Sequence, residues 1–209
     1  MNITLENTGK RFRKQWIFRG IDQSFSAGDV VALTGSNGSG KSTLLQVLAG
    51  LLTPSEGRIL WSLDARILPD QIFRHVSWCA PSIALYEDYT LSEAVAFHAG
   101  FRPFRNSIQR SEIPSLIGLE NHQSKQLAQF SSGMKQRVKL GLAILSDSPL
   151  LLLDEPTSHL DTQGIDWFQK LLSEHLDNRL TWIASNRATS ETVHCTRALD
   201  VMDYKTSRK

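Results

Sequence analysis

The stretch Gly35-Ser36-Asn37-Gly38-Ser39-Gly40-Lys41-Ser42-Thr43 leaves few folds open to a chain that contains it. It follows the apolar run Val30-Val31-Ala32-Leu33, which reads as a buried parallel strand. After it come Leu44, Leu45, Val47 and Leu48 at helical spacing, and Gly50 as the residue that ends the helix. A glycine-rich strand-to-helix turn lets backbone N–H groups curl inward around an anion, and the helix N-terminus adds partial positive charge. In that reading the Lys41 ammonium reaches the β- and γ-phosphates of a nucleotide and the Ser42 hydroxyl holds Mg²⁺. The plainer reading, a glycine-rich turn with no ligand, is left open by the nine residues alone.

A chain of 209 residues is sized for one substantial core rather than two independent domains. Lys plus Arg number 23 against 21 Asp plus Glu, so a net charge of +2 sets up no global field toward nucleic acid or an acidic surface. The basic tail Lys205 to Lys209 reads as a solvated end. Two cysteines far apart, Cys79 and Cys195, point to a reducing compartment and to no metal site. Met1 to Glu6 lacks a basic-then-apolar signal pattern, and no apolar run approaches bilayer-spanning length. The expectation is a soluble chain whose membrane role, if any, runs through a partner.

Ahead of the loop, Ile3 and Leu5 alternate with polar neighbours, and Trp16 to Phe18 and Ile21 to Phe25 add strand-like runs. Gly9, Gly20 and Ala27-Gly28-Asp29 break them, which predicts a short antiparallel β region. Within it Phe12 stands among Lys10, Arg11, Arg13 and Lys14, either as a stacking aromatic with phosphate contacts or as part of a solvated turn. Beyond the loop helix, Thr53 to Gly57 reads as a turn, Arg58 to Trp61 as a strand, and Val76 to Cys79 as another, ended by Ala80-Pro81. Thr90-Leu91-Ser92-Glu93 is a capping box ahead of a helix; a second helical piece lies near Ile113 to Ile117, and a third begins at Ser131. About 82–145 therefore reads as a mainly helical insertion in an alternating strand and helix pattern.

Leu150-Leu151-Leu152-Leu153 is bracketed by Pro149 and Pro156, too close together for a helix, so it reads as a fully buried parallel strand. Its C-terminal end delivers Asp154 and Glu155 to the crevice where open α/β sheets bind ligands. A loop over Thr157 to Asp161 leads to an amphipathic helix with Ile165, Phe168, Leu172 and Leu176 on one face. Leu180 to Ala184 is another buried strand, ending at Ser185-Asn186-Arg187.

Taken together, these stretches resemble the nucleotide-binding subunit of ATP-binding cassette (ABC) transporters over essentially the whole chain. The glycine-rich loop matches the family's Walker A motif, and Leu150 to Pro156 is similar to Walker B with its following glutamate. Ser158-His159-Leu160-Asp161 is similar to the D-loop, and Phe130-Ser131-Ser132-Gly133-Met134-Lys135-Gln136-Arg137 occupies the place of the signature. The resemblance implies an α/β P-loop NTPase with a mainly parallel sheet, the core being about 1–81 and 146–209 and the helical subdomain about 82–145. It implies that ATP is bound with Mg²⁺, that Asp154 and Ser42 hold the metal, and that Glu155 polarises the attacking water. Ser131, an N-cap by position, would with Ser132 and Gly133 contact the γ-phosphate on a second cassette, so two copies sandwich two ATP molecules in a homodimer. Phe12 would stack on adenine. The partner would be an integral membrane transporter subunit, engaged from the cytoplasmic face, with no nucleic acid involved. The short chain looks most like the compact cassettes of bacterial exporters, including the haem-exporter type of cytochrome c maturation. A non-transport cassette acting on ribosomes or DNA, and a slow ATP-dependent clamp, are the competing readings.

Three departures qualify what the resemblance implies. Ser132 and Met134 stand where the signature has Gly and Gln, although Ser132 keeps its backbone N–H. Pro81 stands where the family places a Gln near the metal and the attacking water, and proline has neither an N–H nor a side-chain acceptor. Asn186 stands where the family has a His at the γ-phosphate; its amide donates a hydrogen bond but carries no charge. The expectation is slow ATP hydrolysis.

Overall fold

Two sheets and the helices around them are built from β1 (Asn2–Phe12), β2 (Gln15–Ser26), β3 (Val30–Thr34), α1 (Lys41–Leu48), β4 (Glu56–Ser62), β5 (Arg66–Ile67) and β6 (Val76–Cys79). The chain continues through α2 (Leu91–Phe101), α3 (Ile113–Leu116), α4 (Ser132–Leu145), β7 (Leu150–Asp154), α5 (Thr162–Ser173), β8 (Leu180–Ala184), α6 (Thr189–Thr192) and β9 (Arg197–Asp200). The computed structural model describes residues 1–186 and 189–205, so Arg187 and most of the basic tail lie outside the described residues. No helix among the described residues is long and apolar enough to cross a membrane.

The antiparallel sheet has the order β2-β1-β4-β5, and the parallel sheet the order β6-β7-β8-β3-β9. Gly9 and Gly20 do not break strands, as the sequence had suggested; β1 and β2 run through both. Instead the ladder slips three times, the last between Lys10, paired with Phe18, and Arg11, paired with Trp16. Leu5 pairs with Gln23 but Thr8 with Ile21, so β1 carries an extra residue near Asn7 (φ 45°). Thr8 pairs with Ile21 but Lys10 with Phe18, so β2 carries one near Gly20 (φ 74°). Left-handed residues accommodate such bulges, which bend a long hairpin instead of ending it. The edge strands β5 and β9 are too short to announce themselves by alternation.

The leucine run is explained by the two-residue repeat of a strand. Leu150 and Leu152 face the core shared with the antiparallel sheet and α1, alongside Ile3, Phe25, Leu45 and Trp182. Leu151 and Leu153 face the opposite core, with Val138, Ile144, Phe168 and Ile183. All four leucines are fully buried, each contributing about 1.5–3 kcal/mol. The helix face read from the sequence holds for Phe168 and Leu172, which are buried, but α5 stops at Ser173 and leaves Leu176 beyond it.

Register then sets the site. Leu33 and Asp154 both pair with Ala184, so the C-terminal ends of β3, β7 and β8 lie level. Two backbone bonds continue past the strands, from Ser185 N to Leu33 O at 3.1 Å and from Glu155 N to Ala184 O at 2.9 Å. Gly35, Glu155 and Asn186 therefore emerge side by side.

Candidate functional site

Local chemistry explains the shape of the loop helix. Its C-terminus is closed by Gly50 at φ 74°, with Gly50 N donating to Val47 O (3.1 Å) and Leu51 N to Gln46 O (2.9 Å), the pairing of a left-handed C-cap. The N-terminus differs from those of the other long helices. α2 has a full Thr90–Glu93 capping box, α4 is capped by Ser131 and α5 by Asp161. α1 has Gly40 at φ 112° with no side-chain cap and no acidic residue in its first turn, so its N–H groups are left to an external anion. Gly40 is required on space as well: a Cβ there would lie 2.3 Å from Ile17 Cγ2. Gly38, by contrast, has no neighbour within 4 Å of a built Cβ and faces open space.

A cavity of about 330 Å³ lies over this helix end, lined by Asn37, Gly38, Gly40 to Thr43, Ile17, Glu155 and Asn186. Lys41 is buried and folds back on the loop, donating to Gly35 O (2.9 Å) and Ser36 O (3.2 Å). Its third bond goes to Asn186 Oδ1, while Asn186 Nδ2 donates to Glu155 Oε1. One amide thus ties the loop lysine to the carboxylate after β7. Burial pushes the Lys41 ammonium below its ordinary value, against the pull of Glu155, Asp154, Asp200 and Glu191. Burial raises the Asp154 carboxyl; a hydrogen bond with Ser42 lowers it, Glu155 raises it, Lys41 lowers it and Glu191 raises it.

The Ser42 hydroxyl and Asp154 carboxylate are thus in contact, a hard oxygen pair of the kind that suits Mg²⁺. Glu155 has φ 49°, a left-handed conformation costing about 1–3 kcal/mol in a residue with a side chain, and Pro156 follows it.

The remaining sequence candidates lie elsewhere. Phe12 sits by the β1–β2 turn, 48% exposed, with Lys10 Nζ 5.4 Å from its ring centroid, and it does not line the loop cavity. Ser131 caps α4, accepting from Met134 N at 3.2 Å. Ser132 lines a separate cavity of about 210 Å³ with Pro81, Gln136 and His159, and His159 O lies 3.0 Å from a Cβ built on Gly133. Pro81 therefore lies on the signature side, away from the cavity holding Lys41 and Glu155.

Sequence reasoning missed Ile17, because alternation in β2 does not say which residue meets the loop. It also assigned no role to Gln136, which donates to Pro156 O at 2.8 Å, or to Glu191, which accepts from Thr157. Their partners are backbone or hydroxyl groups far away in sequence, which no local motif marks.

The chain's own residues 18–158 match the family model described as ABC transporter. The chain belongs to the ABC transporter family. As the ATP-binding subunit of that family it binds and hydrolyses ATP. Among ABC relatives, the cytochrome c biogenesis ATP-binding export protein CcmA of Agrobacterium fabrum is 32% identical over 182 residues, covering 84% of each chain. The lantibiotic transport ATP-binding protein SrtF of Streptococcus pyogenes is 28% identical over 197 residues, covering 92% of this chain and 82% of SrtF. In fold, the ABC chain matches a solved dimeric ATP-binding cassette in a post-hydrolysis state with ADP and Pi. The TM-score is 0.81 at 20% identity, covering 99% of this chain and 97% of the other.

Proposed function

We propose that this ABC subunit works as one half of an ATP-driven clamp on a membrane exporter, at the cytoplasmic face. The observation that carries the reading is the separation of the two anion-facing helix ends. The α1 end and the α4 end with Ser132 line different cavities, so one chain offers two half-sites. A second copy, turned to face the first, supplies Ser131 to Gly133 against each loop. In this division the core is about 1–81 and 146–209, the helical part about 82–145.

Within each composite site the loop N–H groups and Lys41 bind the phosphates, and Phe12 stacks on adenine. The Ser42 and Asp154 oxygens are suited to Mg²⁺, which when bound neutralises phosphate charge. Glu155 accepts a proton from the attacking water, and Asn186 holds that carboxylate without contributing charge. The uncharged Asn186 and the displaced Pro81 support slow turnover. The export names of CcmA and SrtF support an exporter partner.

The test is complementation between half-sites. Lys41→Ala and Ser132→Glu chains are each expected to be inactive, while a mixture restores turnover, because one pairing brings an intact loop to an intact signature. A mixture as inactive as its components overturns the composite site. Recovery of the chain from native membranes with a polytopic protein checks the partner, and recovery with ribosomes or DNA overturns it.

A further inference from the structure

Glu191 is a carboxylate only 6% exposed, on the short helix α6 that follows Asn186. Among the described residues it has no salt-bridge partner. The Lys41 ammonium feels its charge from a distance, and a buried carboxylate with no direct ion pair is tolerated when hydrogen bonds replace its water. Among the described residues two such bonds come from Thr157: its N donates to Glu191 Oε1 at 3.0 Å and its Oγ1 to the same oxygen at 2.5 Å. α6 is itself anchored, since Gln169 Nε2 of α5 donates to Ser190 O at 2.9 Å.

Thr157 lies two residues beyond Glu155, whose backbone at φ 49° is left-handed and precedes a proline. Proline disfavours helical backbone before it and a side chain disfavours the left-handed region, and against both the turn has the local bond from Ser158 N to Glu155 O at 3.1 Å, to which longer-range bonds are added. From outside the turn, Glu155 N bonds Ala184 O, Pro156 O accepts from Gln136, and Thr157 is gripped by Glu191.

We infer that Glu191 is a positioning residue for ATP hydrolysis, acting through Thr157 to hold the Glu155 backbone in the conformation that aims its carboxylate at Asn186 and the phosphate cavity. The inference rests on the reading of Glu155 as the base. It needs an acceptor oxygen at residue 191, not a charge, and it concerns the chemical step and not ATP binding.

The test uses the full chain, with ATP turnover and fluorescent-ATP binding measured side by side. Glu191→Ala is expected to lower kcat about tenfold or more, the scale of a displaced catalytic group, with KM unchanged. Glu191→Gln, which keeps an acceptor, restores most of the rate. Thr157→Val lowers kcat, Thr157→Ser does not, and the Glu191→Ala/Thr157→Val pair is no slower than Glu191→Ala alone. A wild-type kcat in Glu191→Ala, a KM that rises in its place, a Glu191→Gln as slow as Glu191→Ala, or multiplying losses in the pair overturns the inference. If Glu191→Ala fails to fold, the comparison of Thr157→Val with Thr157→Ser decides, equal rates being the overturning result. The base itself is tested apart: wild-type turnover in Glu155→Gln overturns that reading and leaves the Glu191–Thr157 coupling separately readable.

Discussion

The Asn186 amide donates to the Glu155 carboxylate across the level ends of β8 and β7, and its other end accepts from Lys41. A neutral side chain thereby holds the proposed base and the loop lysine together. Replacing it with a titratable ring changes both rate and pH behaviour. Asn186→His should raise turnover, and the gain should fade as pH rises through the imidazole's ordinary range near 6.5. A pH–rate profile of both chains checks this, and a fast wild type indifferent to the change contradicts it.

Glu155→Gln keeps the side-chain shape and removes the proton acceptor. Turnover should fall by about 10²–10⁴-fold while ATP still binds, so the ATP-bound dimer accumulates. Size-exclusion chromatography with ATP, beside a turnover assay, measures both. A monomer with unchanged turnover contradicts the assignment.

Gly40 has φ 112° and no room for a Cβ beside Ile17. Gly40→Ala should destabilise the chain by about 1–3 kcal/mol and weaken ATP binding through the loop's altered N–H groups. Urea denaturation and nucleotide titration read the two effects independently. A variant unchanged in both would mean that the loop relaxes without cost.

His98 lies against Ser146 Oγ at 2.7 Å and stacks on Phe104. Burial, with Arg102 adding to it, pushes the ring from 6.5 down to about 4. The unfolded chain therefore binds the proton more readily between those values. The stabilisation is complete above the unfolded pKa of 6.5 and is lost as pH falls toward 4, up to about 3 kcal/mol. His175 and His75 shift in the same direction. Stability measured against pH should slope less steeply in His98→Asn, and an identical slope contradicts the prediction.

The parts legible in the sequence are those whose physics is local. Gly40 to Leu48 shows its phosphate turn and helix, Thr90 and Glu93 show their cap, and Leu150 to Leu153 show their burial, because each depends on neighbours within a few positions. The bulges at Asn7 and Gly20 were hidden, since a glycine signals a bend without saying whether the strand resumes. β9 was hidden by its length. Gln136, Thr157 and Glu191 were hidden because their hydrogen bonds join α4, the turn after β7, and α6 through long-range packing. Asn186 was visible as a departure from a resemblance, but its bond to Lys41 required the strand register of Leu33, Ala184 and Asp154.

β7 is a wall with a core on either side, Leu150 and Leu152 turned one way, Leu151 and Leu153 the other. Both carboxylates stand at the end of that wall. Loosening either core shifts the same strand end, so ATP turnover serves as an inspection of the whole molecule. Damage far from the nucleotide, in the antiparallel sheet or among the helices, is expected to be read out first as a lost chemical step.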